Sequence, residues 1–387
     1  MAKRWIFLAL IAATLSLPGS VRAQESDNEG PDSRWQFGAE YMVFWLNQAT
    51  FPILATTGRL GDPIPGALGQ PGTRVLARGP LDHNEGSAGR VSLLYWIDPD
   101  RTIDIEGNFF GAEQQSQFFS AVSSSAGSPL LARPFFDTQP AVNSESAVPR
   151  SFPGLLAGSI NFTYMTRLMG AEANGRYDIQ GWGWQNGFSF SMTSGMRFLK
   201  LDEKYVSYDN TVQLPAGTAS SFNFSDNFTT YNTFVGGQVG GRIRFRWDSD
   251  LFVDLESKLA VGPNFQRVRI SGVTNQYNAA GGLVATGNQG LYAQPTNVGT
   301  YDNSELAFLP ELAVNFNWDI AECLRFKVGY TYFSMNRVVR PGDQINQVVN
   351  IQAIGQTNPI PPLDPQFYRR ESVIWFQAIN VGLEFTF

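Results

Sequence analysis

The last fifteen residues, Val373 to Phe387, alternate with a period of two. Counting back from the end, Phe387, Phe385, Leu383, Val381, Ile379, Trp375 and Val373 form an apolar face broken only by Gln377. Thr386, Glu384, Gly382, Asn380 and Ala378 form a small or polar face. That period belongs to a β-strand with one apolar and one wet side. Two architectures accommodate such a strand: a soluble sandwich, where the apolar side meets a core, and a membrane barrel, where it meets lipid. The remainder of the chain decides between them.

The alternation recurs along the sequence. Trp35, Phe37, Ala39, Tyr41, Val43 and Trp45 alternate with Gln36, Gly38 and Glu40, and the second face loses its polar character beyond Glu40. Val91, Leu93, Tyr95 and Ile97 lead into the turn Asp98-Pro-Asp-Arg101, and Ile103, Ile105 and Phe109 return opposite Asp104, Glu106 and Asn108. Ile160, Phe162, Tyr164 and Leu168 are in phase, then Phe188, Phe190, Met192, Met196 and Phe198. The clearest hairpin runs from Tyr231 to Val261 about Asp248-Ser-Asp250. Counting from Ser249 sets Trp247 against Leu251, Arg244 against Asp254 and Arg242 against Glu256. Such opposed charges stabilise a sheet by roughly 0.2–1 kcal/mol each, and a one-residue slip would turn them toward the apolar side. Phe308, Leu312, Val314, Phe316 and Trp318 alternate with Glu311, Asn315 and Asn317, turn at Asp319–Cys323, and return through Leu324 to Tyr332 with Arg325 and Lys327 inward. The same counting sets Asn317 against Arg325.

Turn lengths segregate. Short turns alternate with stretches rich in Gly, Pro, Ser and Asn, at about 46–89, 111–155, 210–229, 271–303 and 338–370. Outer-membrane barrels have short periplasmic turns and long outside loops, whereas a sandwich has no reason to segregate them. Trp45, Trp247, Trp318, Tyr330 and Tyr332 near strand ends fit interfacial aromatic girdles. Charged residues make up only 16% of the chain, thin for a soluble surface but suited to a barrel that shows lipid an apolar band. The reading is an all-β transmembrane antiparallel barrel over residues 35–387 with ten strands, or twelve if Arg167 and Leu199–Asp202 are turns.

The N-terminus supports export. Lys3 and Arg4, the apolar run Trp5–Leu15 and Val21-Arg22-Ala23 form a signal peptide over residues 1–23, with a polar, disordered leader over 24–34. Removing residues 1–23, which hold three bases and no acid, takes the net charge from −6 to −9. Such an acidic chain is a poor nucleic-acid binder. The single cysteine, Cys323, excludes an intramolecular disulfide.

Several motifs, in order, resemble the putative β-barrel porin-7 family of bacterial outer-membrane proteins. They include Ala39-Glu-Tyr41, Gly89-Arg90, Tyr95-Trp96, Glu106, Ala132-Arg-Pro-Phe135, Gly170-Ala-Glu172 and Gly195-Met-Arg197. Gly236-Gly-Gln-Val-Gly-Gly241, Thr296-Asn-Val-Gly-Thr-Tyr301, Leu309-Pro-Glu-Leu312, Gly329-Tyr-Thr-Tyr332 and Val339-Arg-Pro-Gly-Asp343 continue the series. The resemblance spans nearly the whole mature chain and implies a bacterial outer-membrane location. It brings no catalytic residues and no cofactor. The terminal aromatic Phe387 resembles the C-terminal signal of such barrels, which implies the barrel assembly machinery as a partner alongside membrane lipid.

The alternation points one set of charges into the lumen: Glu40, Asp104, Glu106, Arg242, Arg244, Arg246, Asp254, Glu256, Lys258, Glu311, Arg325, Lys327 and Glu384. They serve either as a selective pore wall for small polar solutes or as a self-neutralising filling. Barrels of about eight strands are filled by side chains and those of about sixteen hold a channel, so ten lies near the filled end. The expected function is porin-like passage or gating. The alternative is a closed barrel presenting its loops as a surface or adhesion platform. A hydrolase is the remote reading and would need His83, the one histidine, with Asp82 or Glu85 and a serine such as Ser87. The pairs Gly236-Gly237 and Gly240-Gly241 lie within a continuous strand pattern, not at the strand-to-helix turn of a phosphate loop. No His/Cys cluster suggests a metal, and acidic loop residues lack EF-hand spacing.

Overall fold

The computed structural model describes residues 34–79, 85–179, 187–215, 220–353 and 361–387. The expected signal peptide, the expected leader up to residue 33, and His83 lie outside them. The strands in chain order are β1 (Trp35–Leu46), β2 (Ala55–Thr57), β3 (Arg74–Ala77), β4 (Gly86–Trp96), β5 (Ile103–Ala112) and β6 (Gln115–Val122). There follow β7 (Leu131–Asp137), β8 (Ser144–Ser151), β9 (Leu156–Asp178), β10 (Phe188–Gln213), β11 (Ser221–Arg246) and β12 (Leu251–Tyr277). The last are β13 (Leu283–Gly287), β14 (Gly299–Ala321), β15 (Leu324–Val338), β16 (Val348–Val349) and β17 (Ser372–Thr386).

The large sheet closes on itself. Its order is β10-β11-β12-β14-β15-β17-β1-β4-β5-β9, and β9 pairs back onto β10. β6 and β13 only extend this sheet, which leaves ten strands in the ring. β17 is the closing strand, antiparallel to β1 from Gln36↔Thr386 to Leu46↔Phe376. Trp35 and Phe387 exchange backbone hydrogen bonds of 3.1 and 2.9 Å, so both described ends meet at one rim. The short turns share that rim. At one of them the Asp98 carboxylate accepts bonds from the backbone N–H of Thr102 and Ile103 and from the Thr102 hydroxyl. These bonds, the side-chain one first, hold Asp98 below the usual carboxylate range.

The ladders fix which face each side chain takes. Arg244↔Asp254 and Arg242↔Glu256 pair as the hairpin count requires. Asn317 instead opposes Lys327, and Asp319 opposes Arg325. β14 runs on to Ala321, with a register shift between Asp319 and Ala321, so the turn is shorter than the sequence suggested. Arg167 and Leu199–Asp202 lie inside unbroken strands, which settles the ring at ten. Residues 210–229, expected as a loop, are mostly the top of the β10–β11 hairpin.

β9 to β12 are 23 to 27 residues long, more than twice the ~9–11 that cross a bilayer. Their faces exchange character part-way up. Near the turns, Met192, Met196, Val239, Leu259 and Phe265 point outward and are exposed, while Ser191, Arg197, Gln238 and Lys258 point inward and are buried. Further up, the outward positions become Arg167, Lys200, Asp202, Lys204, Arg267 and Arg269, and the inward ones Ile160, Phe162, Tyr205, Phe228, Val268 and Ile270. A lipid-facing wall thus becomes a water-facing wall around a core.

That upper core is filled by the long connections. β7, β8, β2, β3 and β16 form a separate five-stranded sheet. With the short helix Pro341–Gln344, it packs Ala49, Phe51, Leu54, Leu131, Phe135, Ile345 and Val349 against the inner face of the tall wall. Tyr292 joins the same cluster. The outer end of the barrel is therefore capped by a folded unit.

Candidate functional site in the barrel lumen

From the short-turn rim, a cavity of about 1360 Å³ leads into the lumen. Among the charges lining it are Asp104, Glu106, Arg242, Arg244, Arg246, Asp254, Glu256, Arg325, Lys327 and Glu384. The inward face of each strand supplies them, and neighbouring strands supply opposite signs. Arg244 bonds Asp254 at 2.7 and 2.9 Å, and Arg242 pairs with Glu256. Arg176 reaches Asp104 at 2.9 Å and Glu106 at 3.3 Å. Arg325 bridges Asp319 and Glu384 at 2.6 and 3.2 Å. Lys327 bridges Glu40 and Glu384 at 3.0 and 3.4 Å. Arg246 donates to the Ser249 carbonyl and has the longest ion pair of these, 3.8 Å to Asp319. The guanidinium carbons of Arg244, Arg246 and Arg325 lie 4.2, 4.6 and 4.7 Å from the Phe252 ring centre, within cation–π range.

Above the cavity the charges close ranks. Lys258 lies 2.8 Å from Glu172 and 3.0 Å from Glu311, and Arg197 lies 2.5 Å from Glu311. Gln238 donates to Glu172 at 2.8 Å, and Arg90 approaches Glu40 at 3.6 Å. A void of about 10 Å³ among Arg90, Glu172, Arg197 and Glu311 has room for about one water. Gly240 makes this layer possible: a Cβ there would stand 2.4 Å from the Ser257 carbonyl oxygen and 2.7 Å from the Lys258 side chain. All four paired glycines are wall positions in β11; Gly236 and Gly240 sit where a Cβ has no room, whereas a Cβ at Gly237 would meet nothing within 4 Å.

Next comes an apolar septum. Every strand of the ring contributes a buried, inward residue to one cluster. β1 gives Met42 and Phe44, β4 gives Ala88, β5 gives Phe110, β9 gives Leu168 and β10 gives Leu199. β11 gives Phe234, β12 Ala260, β14 Leu309, β15 Phe333 and β17 Phe376. Phe376 stacks on Phe333 at 4.8 Å and on Phe44 at 5.4 Å, and Phe110 lies 5.9 Å from it. None of these residues lines the large cavity. Burying one such ring stabilises the fold by roughly 1.5–3 kcal/mol relative to a wet lumen.

Three inward carboxylates on β10 and β11 hold the cap above the septum. Glu203 accepts from Arg340 at 2.6 and 3.1 Å and from Tyr164. Arg340 also donates to the Asn47 and Gln48 carbonyls, both at 3.1 Å. Asp209 takes a two-pronged contact from Arg133 at 2.7 and 2.9 Å and a third bond from Arg150 at 2.9 Å. Burial alone would raise the Asp209 carboxyl, but the two guanidinium groups outweigh it and hold it below the usual range. Asp226 accepts the backbone N–H groups of Leu291, Tyr292 and Ala293 at 3.3, 3.0 and 2.8 Å. Among the described residues no cation bonds it, and burial leaves it above the usual range. Burial also pushes the Tyr205 hydroxyl up to about 12.

All thirteen lumen charges named from the sequence lie on inner faces. Those on β1, β5, β11, β12, β15 and β17 reach the cavity or its ceiling, and Lys258 and Glu311 belong to the closed layer above it. Alternation alone missed Arg90, Glu172, Arg176 and Arg197, and it missed Arg133 and Arg340 of the cap with their wall partners Asp209 and Glu203 on β10. Arg90, Glu172, Arg197, Arg133 and Arg340 do lie in the motifs that carry the family resemblance, and those motifs converge on the buried ion pairs. Cys323 is exposed in its turn. Ser87 donates to or accepts from Tyr41 at 2.8 Å.

A closed antiparallel ring with an apolar outer band, short turns at one rim and a capped opposite end defines a bacterial outer-membrane β-barrel protein. The family described as Putative beta barrel porin-7 matches residues 36–387. The chain belongs to that family. No curated protein matches it. Among solved structures it is similar to the outer membrane protease OmpT from Escherichia coli, at 9% identity and TM-score 0.39, over 94% of this chain and 100% of that one. A major outer membrane protein from Thermus thermophilus matches at 7% identity and TM-score 0.22, over 91% and 99% of the two chains. The translocator domain of the autotransporter NalP from Neisseria meningitidis matches at 8% and 0.24, over 93% and 90%. Scores this low add nothing to the topology already described.

Proposed function

We propose that this barrel is sealed, and that its task is to anchor a folded cap at the cell surface as a structural or adhesive platform. The observation that carries this reading is the septum, to which all ten strands contribute buried apolar side chains. The carboxylate-held cap is a second barrier above it. An unfilled lumen would leave the wall polar, whereas here the wall exchanges polar for apolar residues at mid-height.

A second reading has its own support. The cavity of about 1360 Å³ is lined by charge and opens at the short-turn rim, as the vestibule of a gated path for small polar solutes would. In that reading the septum is a hydrophobic gate. Assembly through the C-terminal strand ending in Phe387, by the barrel assembly machinery, belongs to both readings. Liposome swelling separates them. Refolded protein in proteoliposomes should give no swelling in small neutral sugars or amino acids above protein-free vesicles. Swelling that rises with protein content would replace the sealed reading with the gated one.

A further inference from the structure

The outward faces of β9 to β12 carry a charged surface that neither the lumen nor the cap uses. On β10 the outward residues from Phe188 to Phe198 are Phe188, Phe190, Met192, Ser194, Met196 and Phe198. At ~3.3 Å per residue and ~40° tilt they rise ~25 Å, the height of the apolar band of such barrels. The next outward residue is Lys200, followed by Asp202 and Lys204. Register extends this level sideways. Arg167, Asp202, Tyr231, Arg267 and Asp302 stand in one row across five neighbouring strands. Lys204, Thr229 and Arg269 form the row above it.

The patch therefore holds five cations and two carboxylates. Both carboxylates are engaged: Lys200 lies 3.1 Å from Asp202, and Arg267 lies 2.6 Å from Asp302. Arg167, Lys204 and Arg269 have no ion-pair partner among the described residues, and Arg167 and Arg269 are exposed. At the edge of the patch Arg369, ahead of β17, donates to the Asp302 carbonyl at 3.2 Å, and Arg370 beside it is exposed. Elsewhere around the ring, β1 ends at Leu46 before Asn47, β15 carries Asn336, and Arg337 is paired with Glu371 at 3.0 Å. Directly beneath the patch, Val235 and Phe265 are exposed apolar contacts for an acyl chain.

We propose that this face binds the phosphate-bearing headgroup of an outer-leaflet glycolipid, with Arg167, Lys204 and Arg269 as the phosphate ligands. Charge and height both select that occupant. The surplus is positive, and it starts where the lipid-facing band ends, the level at which headgroup phosphates lie. A Lys or Arg at an anionic membrane surface contributes ~1 kcal/mol. Three of them together correspond to a roughly hundredfold change in affinity.

The test uses the full chain refolded in detergent micelles, with retained lipid counted by native mass spectrometry. The probe is a bis-phosphorylated lipid A titrated against the protein and against R167Q/K204Q/R269Q. The variant should bind roughly a hundredfold more weakly, and R167K/K204R/R269K should bind as the parent does. Lipid A stripped of phosphate should bind the parent as weakly as it binds the glutamine variant. All three positions face outward, and heat-dependent mobility on gels verifies that each variant is folded. Equal retention by parent and glutamine variant would overturn the proposal. So would equal binding of the dephosphorylated lipid, which would leave only apolar contact, or full displacement by equimolar inorganic phosphate, which would mark a free-phosphate site.

Discussion

Removing the charge of Arg340 should open the cap without unfolding the barrel. Arg340 and Glu203 have side chains only 3% and 0% exposed, with Nη2 to Oε1 at 2.6 Å. Arg340→Met keeps the apolar stem but leaves Glu203 as a buried carboxylate supported by Tyr164 and Thr166 alone. Breaking a buried pair in this way costs about 3–5 kcal/mol. Glu203→Gln strands the guanidinium and should cost a similar amount. In R340M/E203Q neither charge remains and the glutamine still accepts from Tyr164. The residual cost is the lost donation to the Asn47 and Gln48 carbonyls, about 1–3 kcal/mol. The double variant should therefore cost at least ~3 kcal/mol less than the sum of the singles. Hydrogen exchange by mass spectrometry in residues 47–57 and 338–349 reads these opening energies directly, with β12 and β14 as internal references. Single variants within ~1 kcal/mol of the parent, or a double variant equal to the sum of the singles, would refute the claim that this pair latches the cap.

Acid should release the β7–β8 hairpin selectively. The Asp209 carboxyl lies below its ordinary value of 3.8 in the folded chain, so its stabilisation is complete above that value and is lost as pH falls through the folded one. Asp226 has the opposite sign: its contribution is complete below 3.8 and fades as pH rises through its raised value. Rate-corrected hydrogen exchange should therefore hold steady in residues 131–151 down to 3.8 and rise as pH falls below it, and not in residues 288–298; equal loosening of both would contradict the assignment. F333A/F376A should remove two stacked rings from the septum, destabilise the fold by about 3–5 kcal/mol per ring, and produce liposome swelling where the parent produces none. Gly236→Val should lower stability by about 1–3 kcal/mol in urea unfolding, because a Cβ there meets the Phe234 ring and the Val261 carbonyl, both at 2.6 Å.

The ring of ten strands was legible in the sequence because lipid on one side and paired charge on the other impose a period of two. The register of the β11–β12 hairpin followed from three turn residues and complementary charges. The count failed at β14–β15, where Asp319 looks like a turn former but stays in the ladder opposite Arg325. Arg167 and Leu199–Asp202 imitated turns for a different reason. There the outward face passes from apolar to charged while the inward face passes from polar to apolar, so the pattern inverts within a continuous strand. The septum left one trace, the loss of polarity after Glu40, where Met42 and Phe44 turn inward. Period alone does not distinguish an apolar residue facing lipid from one facing a filled lumen. The cap was hidden because its local pairs, β2–β3 and β7–β8, are joined into one sheet only by contacts distant in sequence, such as Thr56 with Ala132 and Val348 with Phe136. Its anchors are single arginines that no local pattern marks.

Planar-bilayer recording of the unmodified, refolded chain tests the sealed lumen most directly. A sealed lumen gives a silent membrane, with no stepwise current at low or moderate voltage of either sign, while F333A/F376A gives steps under the same conditions. Reproducible, long-lived steps from the unmodified chain at low voltage would contradict it.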